Sequence, residues 1–261
     1  MVVTSTRRPI VPQLDARETR PPRRVYAPHG DLAECERVST WLVTGANRGI
    51  GLELCRQLAA RGEKVIATAR APERAGELRS LRVRIEQLEV RDPASVSALA
   101  GAVGETGLDV LVNNAGRGGA GPGIAQLDWE IVADYFWVNA IGSMRVVQAL
   151  LPALRRGREK KIVQLSTGMA SIAENRQGGT YAYRASKAAL NMLNRTLAAE
   201  LRPEGFTCLA LNPGWVQTDM GGPRAPLQVA ESVADFLRVV DRSGPDHTGT
   251  FVDHTGAEVP W

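Results

Sequence analysis

The sequence predicts a single doubly wound α/β domain, with a mostly parallel central sheet and helices on both faces. Three observations carry this expectation. Short runs of β-forming residues alternate with helical patterns from residue 38 onward. A glycine-rich turn joins the first such run to the first helical pattern. The chemically distinctive residues fall just after the runs, at the carboxyl ends of strands, where sheets of this kind bind ligands.

The elements follow in order. Residues 38–44 are a short apolar run, then the glycine turn, then a helical pattern to about residue 60. Residues 64–69 read as a second strand, with Arg70-Ala71-Pro72 opening a helix. Residues 83–90 read as a third strand, followed by Asp92-Pro93 as an N-cap with proline at N1. Residues 108–113 are a fourth strand, and a long helical stretch over 129–151 ends near Pro152. Residues 161–166 form a fifth strand, 183–201 a long helix and 206–211 a sixth strand. A helix over 226–240 and a short last strand over 250–253 complete the pattern.

Composition bounds the function. Hydrophobic residues make up 44% of the 261, enough for a sizeable core. Residues 1–37 differ: they hold five of the fifteen prolines and no apolar periodicity, and read as a disordered Arg/Pro-rich extension. Residues 1–30 carry six arginines and two acids, so the whole net charge of +4 lies there and the remainder of the chain is neutral. That argues against a nucleic-acid groove on the fold. No apolar run approaches the ~18–20 residues of a membrane span, and no apolar segment of a secretory signal follows the early arginines. Cys35, Cys55 and Cys208 are too scattered for a metal or disulfide framework. The expectation is a cytoplasmic protein with inert thiols.

The turn Thr44-Gly45-Ala46-Asn47-Arg48-Gly49-Ile50-Gly51 leads from strand to helix. Small residues let the backbone approach a pyrophosphate, and free N–H groups at the helix start hold it. The same pattern can be a tight turn and nothing more. An NAD-selective site presents an acid at the end of the second strand, but here that strand runs into Ala69-Arg70. Arg48 and Arg70 together suit a 2′-phosphate, which favours NADP(H) and leaves NAD(H) possible. Tyr183 and Lys187 are four apart and share a helix face. A cation beside the phenol is expected to lower its pKa from ~10 and make it a usable proton donor.

With these residues in hand, the chain resembles the short-chain dehydrogenase/reductase family. The resemblance rests on Thr44–Gly51, Asn113-Asn114-Ala115-Gly116, Val138-Asn139, Tyr183-x-x-x-Lys187 and Asn212-Pro213-Gly214, in family order over about residues 38–261. Tyr181-Ala-Tyr-Arg-Ala-Ser-Lys187 and the closing Gly256-Ala-Glu-Val-Pro-Trp261 are similar to its sniffer/C-factor branch. The resemblance implies an NADP(H)-linked carbonyl/alcohol oxidoreductase with a Rossmann-type fold, acting on a small molecule as a homodimer or homotetramer. It implies Tyr183 as general acid/base and Lys187 on the nicotinamide ribose. Asn139 would anchor a water in the proton relay. Asn113, Ala115 and Gly116 would line the adenosine side, and Glu89-Val90 would stand beside adenine. Pro213, Gly214, Val216 and Thr218 would shape the nicotinamide pocket.

One departure concerns the hydroxyl that polarises the substrate. The family has Ser-Ser after the fifth strand; here Thr167 takes the second position, with Ser166 as the fallback. The segment 219–228, with Gly221-Gly222-Pro223, reads as a short lid. No metal is expected, and His29, His247 and His254 are given solvated or packing roles. The alternative function is a dinucleotide-binding signalling or regulatory protein with little turnover.

Overall fold

The computed structural model describes residues 38–119 and 121–261. The Arg/Pro-rich extension and Cys35 lie outside the described residues. Seven strands make one sheet in the order β3-β2-β1-β4-β5-β6-β7, every pairing parallel. The strands are β1 (Thr40–Val43), β2 (Lys64–Ala69), β3 (Arg84–Gln87), β4 (Val110–Asn113), β5 (Lys161–Leu165), β6 (Thr207–Asn212) and β7 (Thr250–Asp253). The chain leaves β1 toward β2 and β3, then returns to β4 on the other side. That reversal opens a crevice beyond the carboxyl ends of β1 and β4.

Burial explains the apolar runs. Every residue of β4 and β5 is buried, as expected of parallel strands covered on both faces. Alternation sorts their side chains: Val110 and Val112 join one apolar layer with α1 (Gly49–Ala60) and α7 (Val229–Arg242). Leu111 and Ile162 join the other, under α3 (Pro93–Val103), α5 (Ser143–Arg156) and α6 (Tyr181–Leu201). On α7 the buried residues Val233, Phe236, Leu237 and Val240 recur at helical spacing. Fully burying Phe236 contributes about 1.5–3 kcal/mol. Asp92 caps α3 as its sequence predicts, accepting from Ala94 N at 2.9 Å.

Three expectations are corrected. The third strand is four residues, not eight, because β3 is the sheet edge and pairs with β2 alone. The stretch 129–151 is not one helix. It comprises α4 (Trp129–Phe136), a π-helical turn (Trp137–Gly142) and α5. Nor does it end near Pro152, because α5 runs through that residue to Arg156. The carbonyl that Pro152 leaves without a donor belongs to Gln148, an exposed residue on the outer side of the helix. The remaining short helix, α2, spans Gly76–Arg79.

Candidate active site

The glycine turn is held in place by β4. Thr44 Oγ1 accepts from Asn114 N (3.0 Å) and Ala115 N (2.9 Å), and Asn114 Nδ2 donates to the Thr44 and Gly45 carbonyls at 2.8 and 2.9 Å. This lacing leaves no room for side chains. A Cβ on Gly45, whose φ is +65°, would lie 2.9 Å from Ala115 Cα, and one on Gly51 would lie 2.5 Å from Asn114 Nδ2. Helix α1 starts with Arg48 as its N-cap, no capping side chain and no acid in its first turn. Its first N–H groups are therefore free for an anion, and Ile50 reaches the cavity beside them. The cradle fits a pyrophosphate.

The flanks bear on the 2′ position. Ala46 N donates to Thr68 O at 2.7 Å, which brings the turn to the end of β2 where exposed Arg70 emerges. No acid stands there. Arg48 meets Asp219 at 2.9 Å. Glu89 turns its carboxylate onto Arg91 N at 3.1 Å, while Val90 is buried against Gly142 and away from the cavity. Asn113 is also buried, its Nδ2 donating to Ser143 O at 3.2 Å, so its contacts tie β4 to α5.

Tyr183 and Lys187 occupy the first turns of α6 and both face a cavity of about 700 Å³. Lys187 is buried, and its Nζ donates to Leu165 O at 2.6 Å. Burial pulls its pKa down from 10.5 to about 8. Tyr183 corrects the sequence expectation. Its pKa is raised from 10.0, chiefly by loss of solvent, with a hydrogen bond to Thr167 acting downward and nearby Tyr135 upward. Lys187 directs one of its donors at a backbone carbonyl, and desolvation decides the direction for Tyr183.

The structure separates the two candidate hydroxyls. Ser166 is buried and donates from Oγ to Asn191 Oδ1 at 2.6 Å, so its proton is committed. Thr167 is less buried and lines the cavity with Tyr183, its Oγ1 accepting from Met169 N at 3.3 Å. Asn139 sits in the π-helical turn, fully buried. Its Oδ1 accepts from Arg117 N at 2.7 Å, and its Nδ2 donates to Arg117 O and Ser186 Oγ, both at 2.9 Å. Its side chain thus fastens the loop after β4 to the Tyr–Lys helix.

The far wall is the segment after β6. Gly214 has φ +83°, and a Cβ there would strike Leu227 Cδ1 at 2.5 Å and His254 Cδ2 at 2.9 Å. His254 is held by Asp235 at 3.0 Å, behind this wall. Pro213, Gly214, Val216 and Thr218 all line the cavity, and Thr218 Oγ1 accepts from Gly221 N at 3.0 Å. Sequence reasoning missed Arg117, Met169, Thr180 and Trp215, which line it too, whereas Met220 belongs to the segment read as a lid. Spacing offered no signal for these side chains, which reach the cavity through loop geometry. Thr180 is distinctive: it precedes α6 with φ +53° and makes no capping bond. A β-branched residue in the left-handed region is strained. Thr180→Gly is expected to stabilise the protein by about 1 kcal/mol, read as a rise in thermal midpoint.

A parallel sheet with a glycine-lined anion cradle at its reversal point, facing a Tyr–Lys pair across a cavity, defines a nucleotide-binding α/β oxidoreductase. The short chain dehydrogenase family model matches residues 39–227. The chain belongs to that family. It is 49% identical over 154 residues to the "C-signal" protein of Myxococcus xanthus, covering 59% of this chain and 93% of that one. The carbonyl reductase Sniffer of D. melanogaster superposes with a TM-score of 0.81 at 31% identity, over 86% of this chain and all (100%) of that one. The NADPH-bound carbonyl reductase from chicken fatty liver does so with a TM-score of 0.81 at 37% identity, over the same 86% and 100% shares. Among the described residues no helix is long and apolar enough to cross a membrane, and no group of three or more His, Cys, Asp or Glu is placed to hold a metal.

Proposed function

We propose that this protein interconverts a carbonyl and an alcohol with NADP(H), using Tyr183 as the general acid/base. The observation that carries the reading is the convergence of Tyr183, Thr167 and Lys187 on one cavity. The dinucleotide would lie with its pyrophosphate on Gly45–Gly51 and its 2′-phosphate between Arg48 and Arg70. When bound it supplies or accepts the hydride at the carbonyl carbon. The chain's own residues do the rest. Thr167 donates a hydrogen bond to the carbonyl oxygen and Tyr183 delivers the phenolic proton to it. In the reverse direction Tyr183 takes that proton back. Asn139 and Ser186 keep the helix start in register, since Ser186 Oγ also donates to Tyr183 O at 3.0 Å. The absence of an acid at the end of β2 supports NADP(H) over NAD(H).

The reading carries a cytoplasmic location, in keeping with the free buried thiols Cys55 and Cys208. It also carries self-assembly through the α4–α6 face, where Trp129, Trp137 and Met192 are exposed. The test of the function is oxidation of NADPH and NADH across a panel of aldehydes, ketones and diketones. Turnover with NADPH is expected, and turnover with NADH alone would sink the assignment of Arg48 and Arg70. Thr167→Ala is expected to lower kcat by about 10²-fold, the loss of one aligned donor. Ser166→Ala, whose proton already belongs to Asn191, is expected to change kcat little. Equal losses in both variants would reject the choice of Thr167. The identity to the C-signal protein favours a second reading, a dinucleotide-dependent signal. NADPH binding with no turnover on any panel member would select it.

A further inference from the structure

We infer that Asp219 is a cofactor-selectivity residue, which latches the loop over the cavity by occupying Arg48 and which a ribose 2′-phosphate must displace. The inference rests on the reading that Arg48 receives that phosphate.

The loop 216–221 crosses from the end of β6 to the glycine turn. It is braced internally: Trp215 Nε1 donates to Gly221 O at 2.8 Å, and Gly221 N donates to Thr218 Oγ1 at 3.0 Å. At its base it is anchored to the main chain, Gln217 N donating to Leu227 O at 2.9 Å. Its attachments across the cavity are few. Met220 packs over Gly118, and Thr218 Cγ2 lies 3.4 Å from where a Gly49 Cβ would stand. Asp219, between them, pairs with Arg48 at 2.9 Å, the one ion pair of this loop among the described residues. Left-handed glycines flank the segment, Gly214 at φ +83° and Gly222 at φ +76°, so the backbone can pivot at both ends.

The two partners are 67% and 77% exposed, so an incoming ligand can reach Arg48 and solvent can receive Asp219. A carboxylate and a phosphate compete for the same guanidinium fork, and the phosphate brings up to two charges against one. Arg70, two residues past the Thr68 carbonyl that Ala46 N reaches, is a second exposed cation near the turn. A ribose with a free 2′-hydroxyl offers neither charge nor competition and leaves the latch closed. The 2′-phosphate therefore selects the cofactor and frees the loop in one exchange at Arg48.

Calorimetric titration of NADP⁺, NAD⁺ and the probe 2′,5′-ADP tests this on wild type, Asp219→Asn, Arg48→Ala and the double variant. Asp219→Asn is expected to tighten NADP⁺ and 2′,5′-ADP by about two- to fivefold, the worth of an exposed ion pair. NAD⁺ is expected to be unaffected, and the gain should vanish in the Arg48→Ala background. In wild type, 2′,5′-ADP but not 5′-ADP should raise amide exchange over residues 216–221. A gain that persists without Arg48, an equal gain for NAD⁺, or unchanged exchange would overturn the latch. If Arg48→Ala alone fails to weaken NADP⁺, the reading of Arg48 falls. If it weakens NADP⁺ while Asp219→Asn does nothing, only the latch falls.

Discussion

Replacing Tyr183 by phenylalanine is expected to cut kcat for carbonyl reduction by about 10²- to 10⁴-fold, the range for a positioned proton donor, while NADPH affinity holds. The ring stays in place because it belongs to the first turn of the 21-residue helix α6, whose start is fixed by Ser186 and Asn139. Only the hydroxyl goes, and with it the phenol that shares the cavity with Thr167 and Lys187. Its pKa, raised above 10.0 by burial, keeps the phenol protonated at neutral pH. On the proposed mechanism the phenol is thus set for donation to a carbonyl, and alcohol oxidation, which needs the phenolate, should be the direction that gains as pH rises. Steady-state rates with NADPH, together with fluorescence titration of the cofactor, separate the two quantities. A variant that binds NADPH and turns over at the wild-type rate would show that another group supplies the proton.

The fold was legible because its signals are local and repeated. Each β-α unit announces itself through an apolar run, a breaker and a helical pattern, and the parallel sheet follows from their alternation. The glycine turn was legible for a related reason: Gly45 and Gly51 leave no space for a Cβ against Ala115 and Asn114, so the pattern reports backbone proximity. What failed depended on solvent or on distant partners. Pro152 reads as a stop, yet Gln148, whose carbonyl it frees, is an exposed residue and the helix continues. The π-helical turn carries no compositional mark, although it is what turns Asn139 inward toward Arg117 and Ser186. The choice between Ser166 and Thr167 turned on Asn191, 25 residues away from Ser166, and no local pattern encodes that contact. The direction of the Tyr183 shift was misjudged for the same reason, since a helix-face argument places Lys187 near the phenol but cannot see that its ammonium is turned to Leu165 O.

Lys187→Met is expected to lower kcat by about 10²-fold or more and to change two pH profiles in a way that a merely structural residue would not. Methionine keeps much of the side chain's length and apolar character but removes the charge and the donor to Leu165 O. In the wild type the amine is charged below about 8 and neutral above it. The pH dependence of kcat/KM for NADPH reports groups of the free enzyme, so it should fall through an ionisation near 8 and run flat in the variant. Stability moves the other way. The folded pKa of about 8 lies below the unfolded 10.5, so between those values the unfolded chain binds more protons and the wild type gains stability as pH rises. The penalty of the buried charge is present in full below about 8. The variant lacks this slope, so denaturant midpoints of the two proteins should converge or cross over that interval. Parallel midpoints, together with an activity limb that survives the substitution, would assign the ionisation to another group and leave Lys187 as packing beneath Tyr183.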